Sequence, residues 1–353
     1  MAPHAKITLA ALLTLSSGLL LDSPTLGAQG CEPIRFTTPV DLGGGGEAYK
    51  AFSRWQIGVS YRRLVSDEFF VGTNEHPELA PGGQSPVFKI HTFLTNIDYS
   101  ISDRWRVSLS VPLSQGTLTR KWADNTVHQQ SASGVGDMSI SSDAWLLEPR
   151  THRGGNIAFG LGVKAPTGST TIKDRFYTAK DNVEYPADQT IQPGDGGWGI
   201  LLQTDAFRRI TDRTYAYGSG FYMVSPKARS GVKFTPTSAQ YWSVPDVYSA
   251  RVGGSFNLLP EQGLTVSLGG RMDGIPVHDL IGGGDDSTIK RTAYVIFAEP
   301  GLSFSAGRER FSLSVPYRLK VNRQKSLFEQ QTNGQNGGGF AKYLVFVGVS
   351  HRL

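Results

Sequence analysis

From about residue 50 to the end, the chain repeats one pattern: apolar residues return at every second position, in about a dozen separate segments. A strand turns successive side chains to opposite faces, so a period of two marks strands with one apolar face. The first segment sets Trp55, Ile57, Val59 and Tyr61 against Arg54, Gln56, Gly58, Ser60 and Arg62. Another sets Trp105, Val107, Leu109 and Val111 against Arg106, Ser108 and Ser110. Residues 155–165 oppose Ile157, Phe159, Leu161 and Val163 to Ala158, Gly160, Gly162 and Lys164, and near the end Phe311, Leu313, Val315 and Tyr317 oppose Ser312, Ser314 and Arg318. Further strands are expected near 88–101, 135–147, 197–210, 214–225, 246–258, 264–273, 291–304 and 340–353. Within 88–101, Phe88 and Ile90 fall on one face and Phe93, Ile97 and Tyr99 on the other, which suggests a bulge.

The connections sort into two kinds that alternate along the chain. Ser102-Asp103-Arg104, Thr211-Asp212-Arg213, Pro260-Glu261-Gln262-Gly263 and Ala306-Gly307-Arg308-Glu309 are tight turns. Residues 65–87, 113–134, 166–196, 226–245, 274–290 and 323–339 read as long polar loops. Proline cannot donate to a sheet ladder, so Pro112, Pro166, Pro226, Pro276 and Pro316 are expected where strands run into the long loops. Short turns at one end and long loops at the other distinguish a membrane barrel from a soluble sandwich.

Each segment also reaches the ~9–11 residues that a tilted strand needs to cross a bilayer. In hydrocarbon an unpaired backbone group costs several kcal/mol, so a spanning sheet must close on itself. The expected fold is all-β: a transmembrane antiparallel up-and-down β-barrel of about 12 strands over residues 51–353. The basic start Met1–Lys6, the apolar run Ile7–Leu21 and the small residues up to Gly30 read as a signal peptide over 1–30, implying export to the outer membrane of a Gram-negative cell. Residues 31–50, with Gly43-Gly44-Gly45-Gly46, are expected as a periplasmic lead or small plug. The single cysteine, Cys31, leaves no internal disulfide to form, and its position at the cut leaves lipidation open. The 35 basic and 30 acidic residues are interspersed, which argues against a nucleic-acid partner. The closing strand alternates Tyr343, Val345, Val347, Val349, His351 and Leu353 to the last residue. That pattern resembles the terminal signal read by the barrel-insertion machinery, with Leu353 standing where phenylalanine is usual.

Polar residues between the apolar ones are expected to face the lumen. The candidates are Arg54, Arg106, Asp137, Asp143, Lys164, Asp205, Arg251, Arg271, Glu299, Arg318 and Lys342, together with Asp98. Charges of both signs in a crowded interior must pair or stay hydrated. They serve equally a solute path and an ion-paired network that stiffens the wall.

Three short motifs carry a resemblance. Gly134-Val135-Gly136-Asp137, Lys164-Ala165-Pro166-Thr167-Gly168 and Pro193-Gly194-Asp195-Gly196-Gly197, with Val315-Pro316 near the end, resemble the outer-membrane family of the meta-pathway of phenol degradation. The resemblance implies kinship with long-chain fatty-acid transporters and an outer-membrane channel for small, hydrophobic or aromatic solutes. A barrel with a filled lumen, serving structure or surface interaction, remains open, and the glycines read equally as backbone geometry.

An outer-membrane hydrolase is the other class to weigh. It needs a nucleophile and a base within hydrogen-bond reach, and only His91 is suitably set, with no serine signature beside it. No catalytic residue or cofactor is assigned. No metal site is assigned either: Asp279 and Gly282-Gly283-Gly284-Asp285-Asp286 lack the spacing of a calcium loop.

Overall fold

A computed structural model describes residues 54–353, apart from 283–287, 333, 335 and 336. The expected signal peptide, the lead and Cys31 lie outside these residues, as does most of the acidic loop. The barrel is made by β1 (Trp55–Val71), β2 (Val87–Ser100), β3 (Trp105–Lys121), β4 (two segments, Val127–Val135 and Ser139–Trp145), β5 (Gly155–Lys164) and β6 (Gly199–Arg209). It continues with β7 (Thr214–Val224), β8 (Val247–Leu259), β9 (Leu264–Ile275), β10 (Ala293–Ala306), β11 (two segments, Glu309–Ser314 and Tyr317–Arg323) and β12 (Gly338–Arg352). Every neighbouring pair is antiparallel, and β12 pairs with β1 from Gln56↔Arg352 to Phe70↔Gly338. The twelve strands therefore close on one another, and among the described residues the structure is a closed twelve-stranded barrel.

The alternation predicts the outer face correctly where it is cleanest. Ile157, Phe159, Leu161 and Val163 of β5 are all exposed, as are Trp55, Ile57 and Val59 of β1 and Val347 and Val349 of β12. A run of exposed apolar side chains on a closed sheet is stable only against lipid. Trp105 and Tyr343 also face outward, and Trp55 packs against Tyr99 at a ring distance of 4.6 Å at the end that carries the short turns.

Three expectations are corrected. First, residues 65–87 and 113–134 are not simply loops: β1 runs on to Val71, β3 to Lys121, and β4 already begins at Val127. Second, β2 has no bulge. Its register with β1 is unbroken from Trp55↔Tyr99 to Ser66↔Phe88, so Phe93 faces out while Phe88 and Ile90 face in. Both faces of this strand are apolar because the interior there is packed. Third, Pro112 stands inside β3 and Pro316 inside β11, not at strand ends. Each sits where the adjacent ladder is already interrupted. The Pro112 carbonyl accepts Gly136 N–H at 2.8 Å in the gap between the two halves of β4, so its missing N–H faces a ladder position that is not used. Pro166, Pro226 and Pro276 do follow the ends of β5, β7 and β9.

The inner faces of β1, β2, β10 and β12 meet in the largest apolar cluster of the molecule. Leu64, Phe70, Phe88, Ile90, Val295, Phe297, Phe340, Leu344 and Phe346 are all buried in it. Each fully buried side chain of this size contributes roughly 1.5–3 kcal/mol relative to exposure. A cluster inside the barrel gains this without competing with lipid for the outer face.

Candidate functional site: the barrel lumen

Antiparallel partners share a face, so the registers show which charges meet inside. Arg106 and Asp143 are direct partners between β3 and β4, and Arg106 Nε lies 3.1 Å from Asp143 Oδ1. Ser108 donates to Asp98 at 2.6 Å on the next rung of β2 and β3. Across the barrel, Arg251 of β8, Arg271 and Asp273 of β9 and Glu299 of β10 form one buried network. Arg271 lies 2.8 Å from Asp273 and 3.7 Å from Glu299, and Arg251 lies 3.5 Å from Glu299. Ser249 donates to Asp273 at 2.6 Å and Ser314 to Glu299 at 3.1 Å. The Arg271 guanidinium also lies 4.9 Å from the ring centre of Phe346 on β12. Since β9 and β12 are not neighbours in the sheet, Arg271 reaches across the lumen at this level.

Nearer the long loops, the segment after the hairpin Lys173–Tyr177 and Asn182–Pro186 folds back inside. Ala187 and Ile191 join the apolar cluster, against Phe88, Ile90 and Leu118. A Cβ built on Gly116 would lie 2.7 Å from the Ile191 Cβ, so glycine is what lets Ile191 seat directly on the β3 backbone. Residues Thr190–Pro193 line a cavity of about 20 Å³ with Arg62, Thr92, Ser114 and Asp137, room for about one water.

One buried ion cluster fixes this inward loop. Lys164 Nζ, at the end of β5, donates to both carboxylate oxygens of Asp195 at 2.5 Å and lies 3.5 Å from Asp137. Asp137 occupies the gap in β4 and accepts N–H groups from Gly168 at 2.9 Å and Asp195 at 3.0 Å. The Lys164 side chain is 0% exposed. Gly168 and Gly194 touch backbone to backbone, where a Cβ on Gly194 would come within 2.2 Å of the Gly168 oxygen. The three glycine-rich motifs, far apart in the chain, therefore meet at one point.

A second latch ties the neighbouring loops. Tyr222 donates to Asp246 at 2.9 Å, Asp246 N–H to Asp279 at 2.9 Å, and Lys290 to Asp279 at 2.5 Å. Burial pushes the Asp279 carboxyl above the usual carboxylate range and the Lys290 ammonium below its ordinary value, each opposed by the other's charge.

Of the residues expected to line the lumen, Arg106, Asp143, Arg251, Arg271 and Glu299 belong to the two charged groups, and Asp137 and Lys164 to the loop anchor. Asp205 is exposed on the inner face, paired in register with the inward Ala158. Arg318 is ion-paired with Glu68, with its guanidinium 4.6 Å from the Phe70 ring centre. Two are misplaced. Arg54 precedes the first rung and is exposed at the short-turn rim. Lys342 lies in a β-bulge between the partners of Leu64 and Ser66, and is exposed beside Tyr343 while Ala341 and Leu344 are buried. Sequence reasoning missed Asp195, Asp273 and Ile191 as interior residues.

His91 faces outward, with its Nδ1 2.6 Å from the Tyr61 hydroxyl and the two rings stacked at 5.9 Å. Among the described residues its hydrogen-bond partner is Tyr61 and not a serine, so the hydrolase reading has no nucleophile beside its one candidate base. Among the described residues no group of three His, Cys, Asp or Glu side chains could hold a metal ion.

No family model matches the chain, and no curated protein matches it. Solved structures do. An outer-membrane channel from Pseudomonas putida F1 aligns with a TM-score of 0.58 at 14% identity, covering 90% of this chain and 99% of that one. At that identity the likeness shows the fold. Two looser likenesses bear no weight: the translocator domain of the Neisseria meningitidis autotransporter NalP (TM-score 0.46, 12% identity, 87% and 91% covered) and the Pseudomonas putida toluene transporter TodX (TM-score 0.45, 8% identity, 93% and 99% covered).

Proposed function

We propose that the chain is an outer-membrane channel for small hydrophobic or aromatic molecules, with residues 187–197 as its gate. The observation that carries this reading is the second apolar surface, on the inside of a barrel whose outside already faces lipid. Insertion into a bilayer asks only for an apolar exterior. An interior built from Phe88, Ile90, Phe297 and Phe346 and covered by Ala187 and Ile191 of the inward loop suits an apolar solute once that loop moves. The full-length likeness to a structure described as an outer-membrane channel supports the placement. So does the meeting of the three motifs that resemble the meta-pathway family, to which we assign the chain. On this reading Arg106, Asp143, Asp205, Arg251, Arg271 and Glu299 line the polar half of the path. Export depends on the segment 1–30 and assembly on capture of β12 by the insertion machinery.

The filled-lumen reading has its own support, since Arg271 spans the interior and Ile191 is tightly packed. Liposome swelling separates the two. The channel reading expects benzoate to permeate faster than a pentose of similar size, and Ile191→Gly to speed both. No permeation by either solute, in the parent or in Ile191→Gly, would establish the filled lumen instead.

A further inference from the structure

Four cations on adjacent strands of the outer surface are used by none of the interior networks. Arg63 on β1 faces outward, opposite His91. Lys89 on β2 pairs in register with the outward Val65. Lys342 stands exposed in the β12 bulge between the partners of Leu64 and Ser66. Lys320 on β11 is exposed opposite Ile296, three residues above Tyr317, whose partner is Tyr343. The strands β11, β12, β1 and β2 are consecutive around the barrel. At ~4.8 Å between strands the four side chains span about 15 Å of surface. All stand toward the long-loop end, above outward Tyr317, Tyr343, Val347, Val59 and Phe93.

None of the four has a side-chain hydrogen bond or ion pair among the described residues, whereas Arg318 beside Lys320 is paired inward with Glu68. Asp67, exposed on β1 two residues beyond Val65, shares the sector, and Glu75 and Glu78 are exposed in the connection between β1 and β2, Glu78 beside His76. The opposite wall differs: the outward positions at that level on β7 and β8 are Tyr222 and Tyr248, stacked at 6.3 Å. Unpaired cations directly above an apolar band fit an amphiphile with acyl chains below and phosphates above.

We infer that β11, β12, β1 and β2 form a binding site for the phosphorylated glucosamine headgroup of lipid A in the outer leaflet, with Lys320, Lys342, Arg63 and Lys89 as its phosphate ligands. The inference rests on the outer-membrane placement proposed above, not on the solute. Lysine and arginine each reach one phosphate oxygen shell, and Tyr343 and Tyr317 lie beneath the sugar at the interface.

The test is native mass spectrometry of detergent-solubilised protein titrated with bisphosphorylated lipid A, the same lipid after dephosphorylation, and phosphatidylglycerol. The expected result is tight binding of the first lipid only. The combined variant Arg63→Gln, Lys89→Gln, Lys320→Gln and Lys342→Gln should weaken it on the order of a hundred-fold. A charge-matched control, Lys173→Gln, Lys180→Gln, Lys233→Gln and Lys325→Gln in the loops, should bind as the parent does. Equal binding of dephosphorylated lipid A or of phosphatidylglycerol by the parent protein overturns the site without any variant, and so does full binding by the combined variant. Benzoate permeation through lipid-A-free liposomes, measured in parallel, should be the same in parent and combined variant. Its absence from both would sink the solute reading and leave the lipid site standing.

Discussion

The buried side chains Lys164 and Arg271 do opposite work. Lys164 joins a loop to the wall: its amine lies against both Asp137 and Asp195, which the Asp195 N–H donated to the Asp137 carboxylate holds side by side. Removing one partner of a buried ion cluster costs about 3–5 kcal/mol, because the remaining charge stays out of water. Here the loop can relieve that cost by leaving the lumen. Lys164→Met is therefore expected to raise single-channel conductance in planar bilayers while the barrel stays folded by its heat-dependent gel shift. Unchanged conductance in a folded Lys164→Met barrel would deny residues 187–197 the role of gate. Arg271, by contrast, lies among rigid strands and has no such escape. Arg271→Met should lower the unfolding free energy in detergent by about 3 kcal/mol, and adding Asp273→Asn should recover much of it, since the carboxylate nearest to Arg271 is then no longer a stranded charge and Glu299 keeps Arg251. Equal losses in the single and double variants would show that Arg271 acts by packing on Phe346 alone.

Among the elements, strands were legible wherever one face was apolar and the other was not. Ile157, Phe159, Leu161 and Val163 announce β5 because glycine, alanine and lysine separate them. Beyond Leu64, β1 was not legible, because Asp67 and Glu68 stand before the adjacent pair Phe69 and Phe70 and the period of two is lost. A single bulged residue inverts the parity of everything after it, which is why Lys342 was assigned to the wrong face. The anchor of the inward loop was visible only as three separate motifs: Asp137, Lys164 and Asp195 are brought together by the gap in β4, which no local pattern encodes. The loop latch allows a pH prediction. Asp279, raised in the folded state, stabilises the latch in acid, and that contribution is lost as pH rises through its folded value. Lys290, lowered, stabilises it in alkali, and that contribution is lost as pH falls through its own. Each shift is opposed by the other group's charge, so each needs the other. Lys290→Met is expected to expose the 274–290 loop to protease at pH 8 and to regain protection toward pH 4, as Asp279 takes up a proton. Protease sensitivity that does not change with pH would show that Asp279 is not the group left stranded.

At the scale of the whole molecule, everything depends on β12 meeting β1. An open sheet of these strands would leave unpaired the edge of β1 that faces β12 from Gln56 to Phe70, at several kcal/mol for each polar group in hydrocarbon. Closure also sets the interior, because Leu64 meets Leu344, and Arg62 meets Phe346, only across this seam. The register offers a direct check. Val59 and Val349 are partners on the outer face, so Val59→Cys with Val349→Cys brings two thiols into the Cα separation of about 4.4–6.8 Å that a disulfide accepts. With Cys31 replaced by serine, oxidation should link them almost fully and leave a gel band that no longer shifts on heating. The pair Val59→Cys and Val345→Cys, four residues out of register along β12, is about 13 Å apart at ~3.3 Å per residue and should not link. A cross-link in the second pair but not the first would mean the seam closes in another register, and the lumen contacts of Leu64 and Arg62 would fall with it. Linkage in neither would leave the two edges apart, and a sheet with edges apart has no place in a bilayer.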